Sequence, residues 1–167
     1  MNQKLFGITG WKNSGKTTMT ERLVACFTAR GYRIATIKHA HHNFDIDHEG
    51  TDSWRHRKAG AAEVAIVSSQ RYAIMHEGLG EEEPSLWEIA AKLAPCDLIL
   101  VEGYKRETHK KIELRREGGH AGPALSVDDP AIVAIASDQQ QPGEKVPVFG
   151  IDEIEQIADF IEGVMGL

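Results

Sequence analysis

The chain has 167 residues, enough for a single domain whose core folds without disulfide or metal staples. Nineteen basic against 25 acidic side chains leave a formal net charge of −6, which argues against a general nucleic-acid or anionic-membrane surface but leaves room for a local phosphate pocket. No apolar run approaches the ~20 residues of a membrane span and the N-terminus lacks a signal-peptide core, so the chain reads as cytoplasmic.

Residues 4–9 (KLFGIT) read as a short buried strand that runs into Gly10. From Lys16 the apolar spacing turns helical, with Met19, Leu23 and Phe27 on one stripe and Gly31 as the stop. Cys26 falls on that stripe and Cys96 precedes a strand, so both read as free thiols in a reducing compartment. Tyr32–Ile37 returns to strand, and this β-α-β order implies a parallel sheet. Residues 38–50 are polar, rich in His and Asp and without a period, as in an ordered loop or switch segment. Thr51–Ala59 reads as a short helix, and Ala62–Val67 with Tyr72–Met75 as a β-hairpin. Pro84 opens another helix, with Leu86, Ile89, Ala90 and Leu93 on one face. Leu98–Val101 is a continuous apolar strand, suited to a sheet covered on both faces. Ile112–Arg115 alternates and reads as an edge strand. Ala131–Ala136 and Val146–Phe149 supply further strands, and Ile154, Ile157, Ala158 and Ile161 a closing amphipathic helix. The expected fold is α/β, a P-loop NTPase with a mostly parallel central sheet, flanking helices and a hairpin appendage near residues 62–77, all in one domain.

Gly10-Trp-Lys-Asn-Ser-Gly15-Lys16-Thr17 matches the Walker A pattern G-x-x-x-x-G-K-[ST] in full. Glycine at positions 10 and 15 permits backbone angles closed to other residues and lets main-chain N–H groups approach phosphate oxygens. The helix that starts near Lys16 turns its positive end toward the anion. Lys16 is expected on the β- and γ-phosphates, the Thr17 hydroxyl on magnesium, and Thr18 within reach of a phosphate. The expected nucleotide-binding set is therefore Gly10, Lys12, Asn13, Ser14, Gly15, Lys16, Thr17 and Thr18. Trp11 reads as a packed side chain. Lys12 stands one residue off the signature lysine of the deviant Walker motif, so it receives no dimer-bridging role.

A triphosphate–magnesium site usually adds a carboxylate from another strand end, and Leu98–Val101 delivers Glu102 there, to bind the metal or position water. Asp97 begins that strand and reads as structural. The segment after the second strand starts on the same rim: Lys38 or His39 is in place for a phosphate, and Asp45, Asp47 or Asp52 for the metal. His39, His41, His42 and His48 together suit zinc or nickel, which keeps a nickel-delivery GTPase open as an alternative, and a small-molecule P-loop kinase is another. No N-K-x-D motif is present. Asp138, at the end of AIVAIAS, suits the two N–H donors of guanine, or equally a turn.

The pieces GWKNSGKTT (10–18), IKHAHHNFDIDHEGTDSWRHRKAGA (37–61), LILVEGYK (98–105) and AIASD (134–138), in this order, resemble the molybdopterin-guanine dinucleotide biosynthesis protein B (MobB) family. The resemblance implies GTP binding with slow hydrolysis, and an accessory role beside the molybdopterin guanylyltransferase that attaches GMP to molybdopterin. It implies a homodimer in which the hairpin region helps build a shared sheet. By position it places Gly10, Gly15, Lys16 and Thr17 on phosphate and Mg2+, with Lys38, His39, Asp52 and Glu102 around them. The catalytic expectation is Lys16 with Glu102 or Asp52 orienting water, and the metal expectation is Thr17, Asp52 and Glu102.

Overall fold

Leu98–Glu102 is buried at every position, and the strands beside it explain why. The structure is a computed structural model that describes residues 3–40, 44–119 and 122–167. It divides into two compact units, Met1–His39 with Leu86–Leu167, and Ala40–Ser85. In chain order the elements are β1 (Leu5–Gly10), α1 (Lys16–Ala29), β2 (Ile34–Lys38), α2 (Asp52–Lys58), β3 (Glu63–Val67), β4 (Tyr72–His76), α3 (Leu86–Lys92), β5 (Leu98–Glu102), β6 (Lys111–Arg115), β7 (Ile132–Ser137), β8 (Val148–Gly150) and α4 (Ile154–Met165). A single 3-10 turn, Leu125–Val127, precedes β7.

The first unit is a six-stranded sheet of order β2-β5-β1-β6-β7-β8, with every neighbouring pair parallel. This is the α/β fold expected. Strands buried on both faces have no polar side to alternate with, so they appear as apolar runs. One face packs Phe6, Ile8, Leu98, Leu100, Ile112 and Leu114 against Met19, Leu23 and Phe27 of α1 and Ile157, Ala158 and Ile161 of α4. The other packs Leu5, Ile37, Ile99 and Val101 against Leu86 and Ala90 of α3. Gly31, at φ 91°, lets the chain turn out of α1 toward β2.

One expectation is corrected. The segment 112–115 is not an edge strand: β6 lies inside the sheet, between β1 and β7. Its alternation comes from charged residues that are buried, not exposed. Fully buried Lys111 donates to the carbonyls of Lys105 and Glu107 and to Asp129 Oδ2 at 2.8 Å. Glu113 accepts from the main-chain N–H groups of Leu125 (2.9 Å) and Ser126 (3.1 Å) and from Arg115 (2.9 Å). A charge that is paired and hydrogen-bonded tolerates burial, and a period-two pattern cannot separate this from a solvated face.

The second unit holds α2 and the antiparallel pair β3–β4, in register from Glu63 opposite His76 to Val67 opposite Tyr72. This is the expected hairpin. Arg57 of α2 organises it through Asp47 (2.5 Å), Asp45 (2.9 Å) and Glu77 (3.0 Å). Among the described residues, no helix is long and apolar enough to cross a membrane.

Candidate functional site

β1, β2, β5, β6 and β7 all end on one rim of the sheet, and the register puts Lys38 and Ile8 on either side of Glu102. The chain leaves β1 through Gly10 at φ 147°, where an added Cβ would lie 2.5 Å from Ser14 Oγ and 2.7 Å from the Leu114 carbonyl oxygen. Asn13 is left-handed (φ 63°), and Gly15 at φ 90° caps α1. No side chain caps that helix start and no acid stands in its first turn, so its positive end is left uncompensated by side chains of the helix.

Three side chains meet at the mouth of this loop. Thr17 Oγ1 donates to Glu102 Oε1 at 2.9 Å, and Lys38 Nζ lies 3.3 Å from the same oxygen and 3.4 Å from Thr17 Oγ1. Glu102 itself is 8% exposed. Lys16 Nζ donates to the Trp11 carbonyl at 2.7 Å. Burial first, then the charge of Lys105, draws the Lys16 pKa below the ordinary lysine value, while Glu102 raises it in part and Lys38 lowers it again. The loop, the hydroxyl, the carboxylate and Lys38 are thus brought together as the spacing implied. Lys12, Asn13, Thr17 and Thr18 are exposed on the same loop and first turn.

The comparisons with known proteins concern this whole rim. A family model described as "Molybdopterin guanine dinucleotide synthesis protein B" matches residues 5–138. That span runs from the first residue of β1 to Asp138 and takes in every site residue named above. The chain belongs to the MobB family. It is 41% identical over 159 residues to the molybdopterin-guanine dinucleotide biosynthesis adapter protein of Escherichia coli (strain K12), covering 94% of this chain and 90% of that one. The adapter protein of the same name from Haemophilus influenzae is 40% identical over 160 residues, covering 95% and 87%. Among solved structures, a MobB protein homolog from Bacillus stearothermophilus superposes with TM-score 0.72 at 26% identity, over 97% of each chain.

In this MobB-family chain a small cavity of about 210 Å³ lies beyond the start of α1, lined by Gly15, Thr18, Met19, Arg116, Asp138 and Ile151 among others. Asp138 accepts the Glu117 main-chain N–H at 3.0 and 3.3 Å and faces Arg116 Nε at 3.9 Å. The turn-forming and base-reading roles considered for it are therefore compatible, since a carboxylate offers about four acceptor positions. Arg116 and Ile151 carried no sequence signal: they approach Gly15 from the residues that follow β6 and β8.

Other expected residues of the MobB-family chain have different settings. His39 stacks on Tyr104, ring centroids 4.6 Å apart, and its main-chain N–H donates to the Glu102 carbonyl at 2.9 Å. Asp52 is exposed and opens α2 in the second unit. Asp45 and Asp47 are occupied by Arg57. His41 and His42 lie outside the described residues. Among the described residues no group of three or more His, Cys, Asp or Glu is arranged to hold a metal ion. Trp11 is packed as expected: its Nε1 donates to the Pro123 carbonyl at 2.9 Å. Lys105, which received no role from the sequence, places Nζ 4.2 Å from the centre of the Trp11 ring. Cys26 and Cys96 are free thiols, and Asp97 accepts the Arg33 main-chain N–H at 2.7 Å, a structural role as expected.

Proposed function

We propose that this chain is a GTP- and Mg2+-binding adapter in the formation of molybdopterin guanine dinucleotide, with slow intrinsic GTP hydrolysis. The observation that carries the reading is the contact of Thr17 Oγ1 with Glu102 Oε1 at 2.9 Å beside a glycine-hinged loop and two lysines. A hydroxyl and one carboxylate are a donor set magnesium accepts when phosphates and waters complete its shell, and a second protein acid is not required. Bound there, the ion supplies charge neutralisation at the phosphates. Lys16 and Lys38 add positive charge, main-chain N–H groups of residues 10–17 hold the polyanion, and Glu102 orients water. Among the described residues the cations that meet Thr17, Glu102 and the Trp11 carbonyl are lysines, and without the ~10³–10⁵ in rate that an arginine finger supplies, turnover is expected far below roughly 10 per second.

Guanine is favoured by Asp138, whose oxygens stand at the cavity beyond Gly15 and suit the paired N–H donors that adenine lacks. Support for the adapter role comes from the Escherichia coli and Haemophilus influenzae relatives, both molybdopterin-guanine dinucleotide biosynthesis adapter proteins, and the partner it implies is the molybdopterin guanylyltransferase. A homodimer is favoured by the hairpin, where Val67, Tyr72 and Ile74 share one face and are 74%, 71% and 62% exposed. A lone two-stranded sheet is marginal in water, and its open edges accept another strand.

The test is equilibrium binding of GTP, ATP and GDP, with and without magnesium, to wild type and to Asp138→Asn. Wild type is expected to prefer GTP over ATP by roughly tenfold, and Asp138→Asn to lose that preference while still binding. Equal affinity for GTP and ATP would remove the guanine assignment. No binding of any of the three would remove the site.

A further inference from the structure

The turn after Glu102 is unusual in its backbone. Gly103 and Tyr104 both have positive φ, 98° and 45°. For a tyrosine this is a sparsely populated conformation, kept only where surrounding contacts hold it. Here those contacts are visible. A Cβ on Gly103 would lie 3.0 Å from His39 Cβ, and the Tyr104 ring stacks on His39. The carbonyl of the next residue, Lys105, is held at 3.1 Å by fully buried Lys111. The turn is therefore fixed on both sides of Tyr104, and its product is the position of the Lys105 side chain.

That side chain extends to the second residue of the phosphate loop. Lys105 Nζ sits over the Trp11 indole, while the Trp11 carbonyl accepts Lys16 Nζ. One residue thus holds two ammonium groups, through its ring and through its main chain. The indole cannot yield by simple rotation: Nε1 is bonded to Pro123, and a Cβ on Gly122 would lie 2.1 Å from Trp11 Cε2. Among the described residues Lys105 meets no carboxylate, so an aromatic face balances its charge. Burial lowers its pKa as it does that of Lys16. An indole face is a weak acceptor for an ammonium, and a phosphate oxygen is a far stronger one.

Polarity of the site follows from its two ends. The cavity at Gly15, Thr18 and Asp138 lies toward the base, and the Lys16 ammonium at Trp11 marks the terminal phosphate. We infer that Lys105 is a third phosphate-binding cation of the loop, held on Trp11 beside the terminal-phosphate end, and that it distinguishes a nucleoside triphosphate from a diphosphate. The inference rests on the proposed nucleotide site and adds to it the residue that reads the last phosphate. Because the ammonium leaves the indole when it takes a phosphate oxygen, Trp11 emission reports the event.

The experiment measures GTP and GDP affinity, with magnesium, for wild type, Lys105→Met and Lys105→Arg. All carry Trp54→Phe and Trp87→Phe so that emission comes from Trp11. Methionine keeps an apolar stem on the indole and removes the charge. The expected result is a loss of roughly tenfold or more in GTP affinity for Lys105→Met with GDP affinity almost unchanged, and recovery in Lys105→Arg. The Trp11 emission change should be larger with GTP than with GDP and absent in Lys105→Met. Equal losses for the two nucleotides, or no loss, would overturn the inference while leaving the phosphate site intact. If wild type bound neither nucleotide, the underlying site would fall instead, and this is distinguishable because Lys105→Met would then be irrelevant to any signal.

Discussion

The parallel sheet and the hairpin are built from similar β-forming residues and have opposite surroundings. β5 is buried along its whole length, whereas β3 and β4 leave Val67, Tyr72 and Ile74 to solvent. The sheet encloses itself between α1 and α4 on one face and α3 on the other, and holds a rim of polar strand ends rigid. The hairpin has the composition of a covered surface without, in the single chain, the cover. The contrast separates the two proposals: nucleotide binding is to be sought on the rim of the sheet, and self-association on the exposed apolar face of the hairpin.

The largest expected effect lies on the sheet's rim. Gly10→Ala places a Cβ against Ser14 Oγ and the Leu114 carbonyl, so the loop must move. Nucleotide affinity should fall by on the order of a hundredfold. Hairpin-dependent self-association should be unaffected, and if calorimetry showed wild-type affinity, the loop would not be the binding element.

Next in size is a contrast between two histidines, one in each unit. His109 is buried against Gly7, and neither ring nitrogen has a partner among the described residues. Burial, then the charge of Lys111, with Asp129 opposing, pulls its pKa down from 6.5 to about 4. The unfolded chain therefore binds the extra proton between these values. Stability should be full above pH 6.5 and decline by on the order of 3 kcal/mol as the pH falls to about 4. His76 has the opposite sign: hydrogen bonds from its ring to Glu81 and Glu63 raise its pKa, so its contribution is full below the unfolded value of 6.5 and is lost as pH rises through the raised one. Urea unfolding across this range, with His109→Leu and His76→Gln, reads both. A His109→Leu protein as acid-sensitive as wild type would break the contrast.

The smallest effect on folding should come from the hairpin. Ile74→Lys replaces a side chain already 62% exposed and should change stability by less than about 0.5 kcal/mol. Its consequence should appear in sedimentation, as loss of the proposed homodimer. A variant that remained dimeric would place the interface elsewhere.

Much of this arrangement was legible in the sequence, for reasons that differ by element. The phosphate loop is local: eight consecutive residues carry both its backbone freedom and its charge. Glu102 was legible because an apolar run must end somewhere, and the chemistry of a parallel sheet gathers at those ends. β6 was misread because Lys111, Glu113 and Arg115 are buried in hydrogen bonds to residues as distant as Asp129 and Glu144, which no short window contains. Lys105 went unassigned for a similar reason. Its place over Trp11 depends on two left-handed residues and a lysine six positions later, none of which forms a pattern. The partner of Asp138 lies 21 residues away, at Glu117, so sequence alone left its two roles open.

The central claim is that the loop ending in Lys16 and Thr17, with Glu102 beside it, is a binding site for the magnesium complex of GTP. Isothermal titration of GTP into wild type, Lys16→Ala and Glu102→Gln, each with and without magnesium, tests it most directly. The account predicts saturable one-site binding by wild type, loss on the order of a hundredfold in Lys16→Ala, and disappearance of the magnesium dependence in Glu102→Gln. Wild-type affinity in Lys16→Ala, or an unchanged magnesium dependence in Glu102→Gln, would contradict it.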